Sequence, residues 1–310
     1  TIEILTPLAP AGQIEHRELN SNPNVSHEGI NFSRKFKDTI YFIDEHNSGS
    51  IYKFVMSKPG DYTMGQSFVL SVDAFASSGG KPEENWDSPA NSAAVREGAA
   101  TWIPLTDKNG VPLPGISDPF VNGNPGSSNL AGRKAANDAG GTPYGRPEDM
   151  SVSRNRNNAE VLFVAVTSEN KVYSIEIRQN HRNGGIFPTD KAVVRVMAGN
   201  DTPKNLGFPA TTGVINSPDN IALDAKGNVY VIEDAPNGSS TGGDIWMLRD
   251  THSDGVAESV DHFMSIRVAG SKATGMIFNP ANPLEYVVAV QHPNSTDLAR
   301  VPNGLGDAVW

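Results

Sequence analysis

The sequence predicts an all-β chain folded as a β-propeller of about four to six blades, and three observations carry that expectation. One pattern recurs four times: a short strand opened by a Pro-acid or similar step, a turn, then a strongly β-forming strand ending in acidic or polar residues. A second apolar strand follows each of the first three copies. Helical periodicity is nearly absent, apart from a turn expected around Lys134 to Asn137. Repetition of this kind marks stacked supersecondary units. In a propeller, equivalent positions of successive blades converge on one central channel.

In chain order, His27-Glu28-Gly29-Ile30 leads to the strand Ile40 to Glu45, and Pro147-Glu148-Asp149-Met150 leads to Val161 to Val164. Pro218-Asp219-Asn220-Ile221 leads to Val229 to Asp234, and Ala273-Thr274-Gly275-Met276 leads to Tyr286 to His292. The following strands are Ser50 to Val55, Lys171 to Ile177 and Asp244 to Leu248, whose β-branched and aromatic residues are bounded by Asn, Gly and Ser as hairpins require. Further strands are expected at Ala192 to Met197 and His262 to Val268. No flexible linker divides the chain, so one domain over 1–310 is expected, with a loop-rich insertion at about 77–145. Most of that insertion reads as ordered loop, with one strand at Thr101 to Leu105. Nothing upstream of Glu28 supplies a clear closing strand, so the propeller is expected to be incomplete at the N-terminus.

Among 310 residues, 25 are basic and 35 acidic, a net charge of −10 that argues against a nucleic-acid surface and suits the gathering of divalent cations. There is no cysteine, which excludes disulfides, thiolate ligands and a thiol nucleophile. The longest apolar runs are strand-length, so no membrane span is expected. The first residue is Thr, consistent with a processed product and a removed export signal. Homo-oligomerisation through exposed blade edges is open to such a fold.

Glu28, Glu148, Asp219 and Thr274 occupy equivalent positions at the starts of the inner strands, which point toward the axis. Converging carboxylates repel unless a cation joins them, and hard oxygen donors suit calcium or magnesium. Each Pro-acid step taken alone equally makes a tight turn whose carboxylate caps backbone N–H groups. Glu45 and Asp234 end the next strands at matching positions and join the candidate ligands. His46 and His292 are candidates for ligation or proton transfer, or loop residues that only hydrogen-bond. Arg146, two residues before Glu148, can take two phosphate oxygens at once or pair with a neighbouring carboxylate. Asp250 to Gly255 loosely follows a calcium loop but lacks the full ligand series, and reads as a turn.

The run Arg133 to Asp149, then Ser217 to Asp224, then Ala273-Thr274-Gly275 with Val290 to Pro293, resembles the PhoX-type alkaline phosphatases. Ile51 to Val55 and the closing Gly306 to Trp310 fit the same pattern. The resemblance implies an exported (secreted, periplasmic or extracellular) calcium-dependent phosphomonoesterase on a β-propeller, with calcium and iron holding the phosphate of an ester or small anionic substrate. Carried over by motif, Arg146 binds phosphate, Glu148 bridges metals, Asp219 and Asn220 ligate calcium, and Glu45 is a further ligand. Catalytic members of the family hold iron partly through a cysteine, which this chain lacks, and Lys272-Ala273 stands where a Glu is common. A non-catalytic, calcium-stapled extracellular propeller with a structural or assembly role is therefore an alternative. A lactonase-type propeller hydrolase is another.

Overall fold

The computed structural model of the chain describes residues 1–121, 130–178, 190–204, 213–235, 243–266, 270–282 and 284–291, with the backbone of 308–309. A hairpin of β1 (Ile2–Ile4) and β2 (His16–Glu18) precedes four antiparallel meanders. Blade 1 is β3 (His27–Phe32), β4 (Thr39–Asp44), β5 (Ile51–Met56) and β6 (Gly65–Val72). After a short helix α1 (Pro89–Ala93), the strand β7 (Gly98–Pro104) and the helix α2 (Ala131–Asp138), blade 2 is β8 (Pro147–Arg154), β9 (Glu160–Val166), β10 (Lys171–Arg178) and β11 (Lys191–Ala198). Blade 3 is β12 (Pro218–Leu223), β13 (Val229–Glu233), β14 (Asp244–Arg249) and β15 (Ser259–Ser265). Blade 4 pairs β16 (Lys272–Phe278), β17 (Tyr286–Gln291) and β18 (Ala308–Val309). The inner strands β3, β8, β12 and β16 lie side by side in that order. This is a β-propeller arrangement, as the repeat predicts.

The strands are apolar on both faces because each blade is sandwiched. Every residue of β4, β5 and β9 is buried. Tyr41, Ile43, Phe68 and Trp102 of blade 1 and β7 pack on Leu162, Val164 and Ile175 of blade 2. The opposite face of blade 2, with Val161, Phe163 and Ala165, meets Val231, Trp246 and Leu248 of blade 3. Ala222, Ile232 and Ile245 then meet Met276 and Val288 of blade 4. Burying one such side chain contributes about 1.5–3 kcal/mol. Truncating Leu162 to Ala, at the centre of the first interface, should cost about 2–5 kcal/mol.

The segment that reads as loop supplies two of the elements that order blade 1. β7 pairs antiparallel with β6 on one side and β11 on the other, joining blades 1 and 2 in one nine-stranded sheet. Where the sequence suggests only a turn, α2 is an eight-residue helix with three alanines and a Lys134–Asp138 pair at i,i+4. Ala135 and Ala136 cover the outer face of blade 1 against Phe42, Tyr52 and Val69. A fully buried ion pair, Lys53 Nζ to Asp190 Oδ2 at 2.7 Å, lies near the joining strand. Burial lowers the Lys53 pKa to about 8, and the ammonium sits 4.5 Å from the Phe68 ring and 5.2 Å from the Trp102 ring.

Candidate active site

The recurring step at the head of each inner strand is a recurring β-bulge. Pairing shifts between His27 and Ile30, Pro147 and Met150, Pro218 and Asn220, and Ala273 and Gly275. A bulge leaves its extra residue unpaired and re-aims the side chain. The residues so placed are Glu28, Glu148 with Asp149, Asp219 and Thr274, which is why these positions match across the copies. Gly29 lets the first two bulges approach: a Cβ there would lie 2.7 Å from the Met150 nitrogen.

Arg146 enters the second bulge with φ at 55°, and Ser217 enters the third with φ at 50°, each directly before a proline. Left-handed backbone costs a non-glycine residue roughly 1–2 kcal/mol, so the surroundings must hold it. The Arg146 N–H donates to the His46 carbonyl at 3.1 Å, and its own carbonyl accepts the Thr167 N–H at 3.1 Å. From this backbone the Nη2 of Arg146 reaches Glu45 Oε1 and Glu148 Oε1, both at 2.7 Å. The Arg146 side chain is still 41% exposed while that of Glu148 is 6%, so a ligand can reach the guanidinium.

The acids around it are too crowded to ionise freely. Burial, then Asp219 and Glu45, push the Glu148 carboxyl up to about 8, against the opposing pull of Arg146. Burial, then Asp234 and Glu28, push Asp219 up to about 7. Glu28 is exposed, yet lost solvation and then the facing Glu45 and Asp149 raise its pKa. Asp149 is raised by burial although its carboxylate accepts the Ile221 N–H at 3.0 Å and the Asn220 side chain. It thereby ties blade 2 to blade 3. Asp234 pairs with Lys272 Nζ at 2.9 Å.

The structure thus brings Glu28, Glu45, Arg146, Glu148, Asp219 and Asp234 within electrostatic reach of one another at the inner ends of the blades, with Asn220 turned to Asp149. His46 Nδ1 accepts the Ser48 N–H at 3.1 Å, and burial lowers its pKa. His292 lies outside the described residues. Asp250 makes the expected turn, its carboxylate accepting the Asp254 and Gly255 N–H groups at 3.1 and 2.8 Å. Sequence reasoning passes over Asp149, Lys272 as a partner, and the buried carboxylate Glu169. Glu169 stands just past the end of β9, as Asp44 and Glu233 end β4 and β13, which is the one signal that could have found it.

Comparison with known proteins is decisive for the family. Residues 13–294 match the family model described as alkaline phosphatase PhoX. The chain belongs to the PhoX family. The structure of PhoX from Pseudomonas fluorescens, in complex with vanadate as a transition state analogue, superposes with a TM-score of 0.62 at 20% identity, covering 96% of this chain and 55% of that one. This chain therefore spans about half the length of that PhoX, and the likeness between them is one of fold. A Bacteroides fragilis protein assigned as a 6-phosphogluconolactonase matches more remotely, with a TM-score of 0.33 at 13% identity over 86% of this chain and 63% of that one. No curated protein matches the chain.

Proposed function

We propose that this PhoX-family chain is a calcium-dependent phosphoric-ester hydrolase in which Arg146 receives the phosphoryl oxygens. The observation that carries the reading is the Arg146 guanidinium, held reachable by a left-handed turn close to Glu148 and Asp219, whose pKa values burial and then the neighbouring acids raise. A planar fork of N–H donors suits two oxygens of one phosphate, and here it neutralises charge that builds on those oxygens as water attacks phosphorus and the alcohol leaves. Esters of phosphate and an exported location accompany this reading. No described helix is long and apolar enough to cross a membrane.

The donor set fits a hard divalent cation in its chemistry. Glu148 at about 8 and Asp219 at about 7 hold protons that a cation would displace, and all the donors are oxygen. Glu28, Glu148, Asp219 and Asn220 would hold it, with Glu45 and Asp234 nearby. Among the described residues no three His, Asp or Glu side chains close on a single ion point. In this arrangement Arg146 takes Glu45 and Glu148, and Lys272 takes Asp234. Calcium, if held by these residues, would supply positive charge opposite the phosphoryl oxygens. The chain has no cysteine to complete an iron site of the kind its resemblance implies.

The Lys272–Asp234 pair favours a second reading, because the chain itself neutralises part of the acid cluster. In it, calcium staples the blades and no ester turns over. Hydrolysis of p-nitrophenyl phosphate by the purified protein, with chelator and then with added calcium, separates the two. Turnover that chelation abolishes and calcium restores supports the hydrolase. Calcium binding without turnover leaves the staple, and neither binding nor turnover ends both readings.

A further inference from the structure

Behind each of the first three inner-strand turns lies a second, buried carboxylate. In blade 1, Asp44 accepts the Ser26 N–H at 3.0 Å and takes the Arg133 guanidinium at 2.7 Å on each oxygen. In blade 3, Glu233 accepts the Asn216 N–H at 2.7 Å and the Trp246 indole N–H at 2.8 Å. In blade 2, Glu169 accepts the Gly145 N–H at 2.9 Å. Arg96 holds it with a two-pronged contact of 2.6 and 2.9 Å, and the Tyr173 hydroxyl donates at 2.7 Å. Each acceptor lies at or just past the end of the blade's second strand. Each donor lies one or two residues before the inner strand. The same device is therefore built three times.

We propose that Glu169, held by Arg96, is a positioning residue for Arg146. The left-handed φ of Arg146 is set by the Gly145–Arg146 peptide, whose carbonyl accepts the Ser168 N–H at 2.9 Å and whose N–H donates to the His46 carbonyl at 3.1 Å. Glu169 anchors the peptide before it, taking the Gly145 N–H at 2.9 Å, so the Gly145 Cα from which that turn starts is held on both sides. Glu169 has no freedom to shift: its side chain is fully buried and Arg96 is 10% exposed. Gly145 fits because a Cβ would lie 2.8 Å from Glu169 Cγ and 2.7 Å from Trp86 Nε1. A fork-to-fork pair of this kind fixes direction as well as distance. Arg96 precedes β7, so the loop-rich segment holds the blade 2 turn through Glu169, as its Arg133 holds Asp44 in blade 1. The functional meaning of the device rests on the proposed role of Arg146 with phosphate, but the positioning itself does not.

The test is phenylglyoxal modification of Arg146, mapped by mass spectrometry, in the full chain and in E169Q, R96M and R96K. Arg249, 31% exposed and paired with Asp261 in blade 3, is the internal control. Arg146 modification should rise about tenfold in E169Q and R96M as its geometry loosens, fall back toward the parent rate in R96K, and leave Arg249 unchanged. An unchanged Arg146 rate, or an equal rise at Arg249, overturns the proposal. R96M and R96K decide the matter if E169Q does not fold. Inorganic phosphate titration then tests the reading separately. If R146Q binds phosphate as the parent does, or the parent does not bind it, the phosphate role falls while the modification result stands. If R146Q loses binding, E169Q/R146Q should lose no more than R146Q alone, and a further loss in the double variant overturns positioning.

Discussion

Blades 2 and 3 enter their inner strands by the same turn and fill it with different chemistry. Both place a left-handed residue before a proline, and both hang the preceding N–H on a buried carboxylate. In blade 2 the left-handed residue is Arg146 and the carboxylate is locked by a guanidinium. In blade 3 the left-handed residue is Ser217 and the described donors to Glu233 are neutral N–H groups. Burial pushes Glu233 up to about 8. One scaffold thus carries a fixed cation in one copy and a protonatable acid in the next. The backbone device comes first, and the side chains are what differ.

The largest effect should come from removing the lock. R96M leaves a buried carboxylate without its cation and should cost about 3–5 kcal/mol in denaturant unfolding, whereas W246F, which removes one neutral donor from Glu233 and trims the buried contact with blade 2, should cost less, about 1–3 kcal/mol. Equal losses would erase the distinction between the two turns. Next, R146Q should lower phosphate-ester turnover roughly 100-fold, about 2.7 kcal/mol of transition-state stabilisation, with little change in Tm. A proportionate fall in Tm instead would make Arg146 a structural residue.

The raised carboxyls give a pH dependence of definite sign. Glu148, Asp219 and Glu233 keep protons when folded that the unfolded chain has already released, so their contribution to stability is greatest below the ordinary carboxyl range and is lost as pH rises to about 7 to 8. With chelator, these groups should lower Tm by a few degrees between about pH 5 and 8. Calcium should flatten that slope if it replaces the protons of Glu148 and Asp219, and a slope untouched by calcium counts against binding there. The smallest effect belongs to S217G, which relieves left-handed strain at a residue without charge and should stabilise by about 0.5–1 kcal/mol. A loss would mean that the Ser217 side chain matters more than its backbone.

Most strands of the blades and their order were legible because each blade repeats the same apolar pattern, whereas β6 and the β1–β2 hairpin, which lie outside the repeated motif, were not read. The alignment of Glu28, Glu148, Asp219 and Thr274 was legible for the same reason, although the bulge that causes it was not. A bulge is a property of pairing, and one strand's sequence does not state its partner's register. α2 was half-legible: its alanines favour helix, but Gly132 and a length of eight residues blunt the periodic signal. Arg96 and Asp190 were illegible, since each acts on a residue far along the chain, Glu169 and Lys53. The Lys272–Asp234 pair was half-visible, as a departure from the resembled family without a partner to explain it.

The strand β7 has a further consequence, for how the molecule comes apart. β6 and β11 would each be the outermost strand of a blade, with a free row of amides and carbonyls open to pairing with another chain. Because both spend those groups on β7, neither blade can shed its rim alone. Blades 1 and 2 should therefore open as one cooperative unit, with matched amide exchange in β6, β7 and β11, while the four-stranded sheet of blade 3 exchanges on its own schedule.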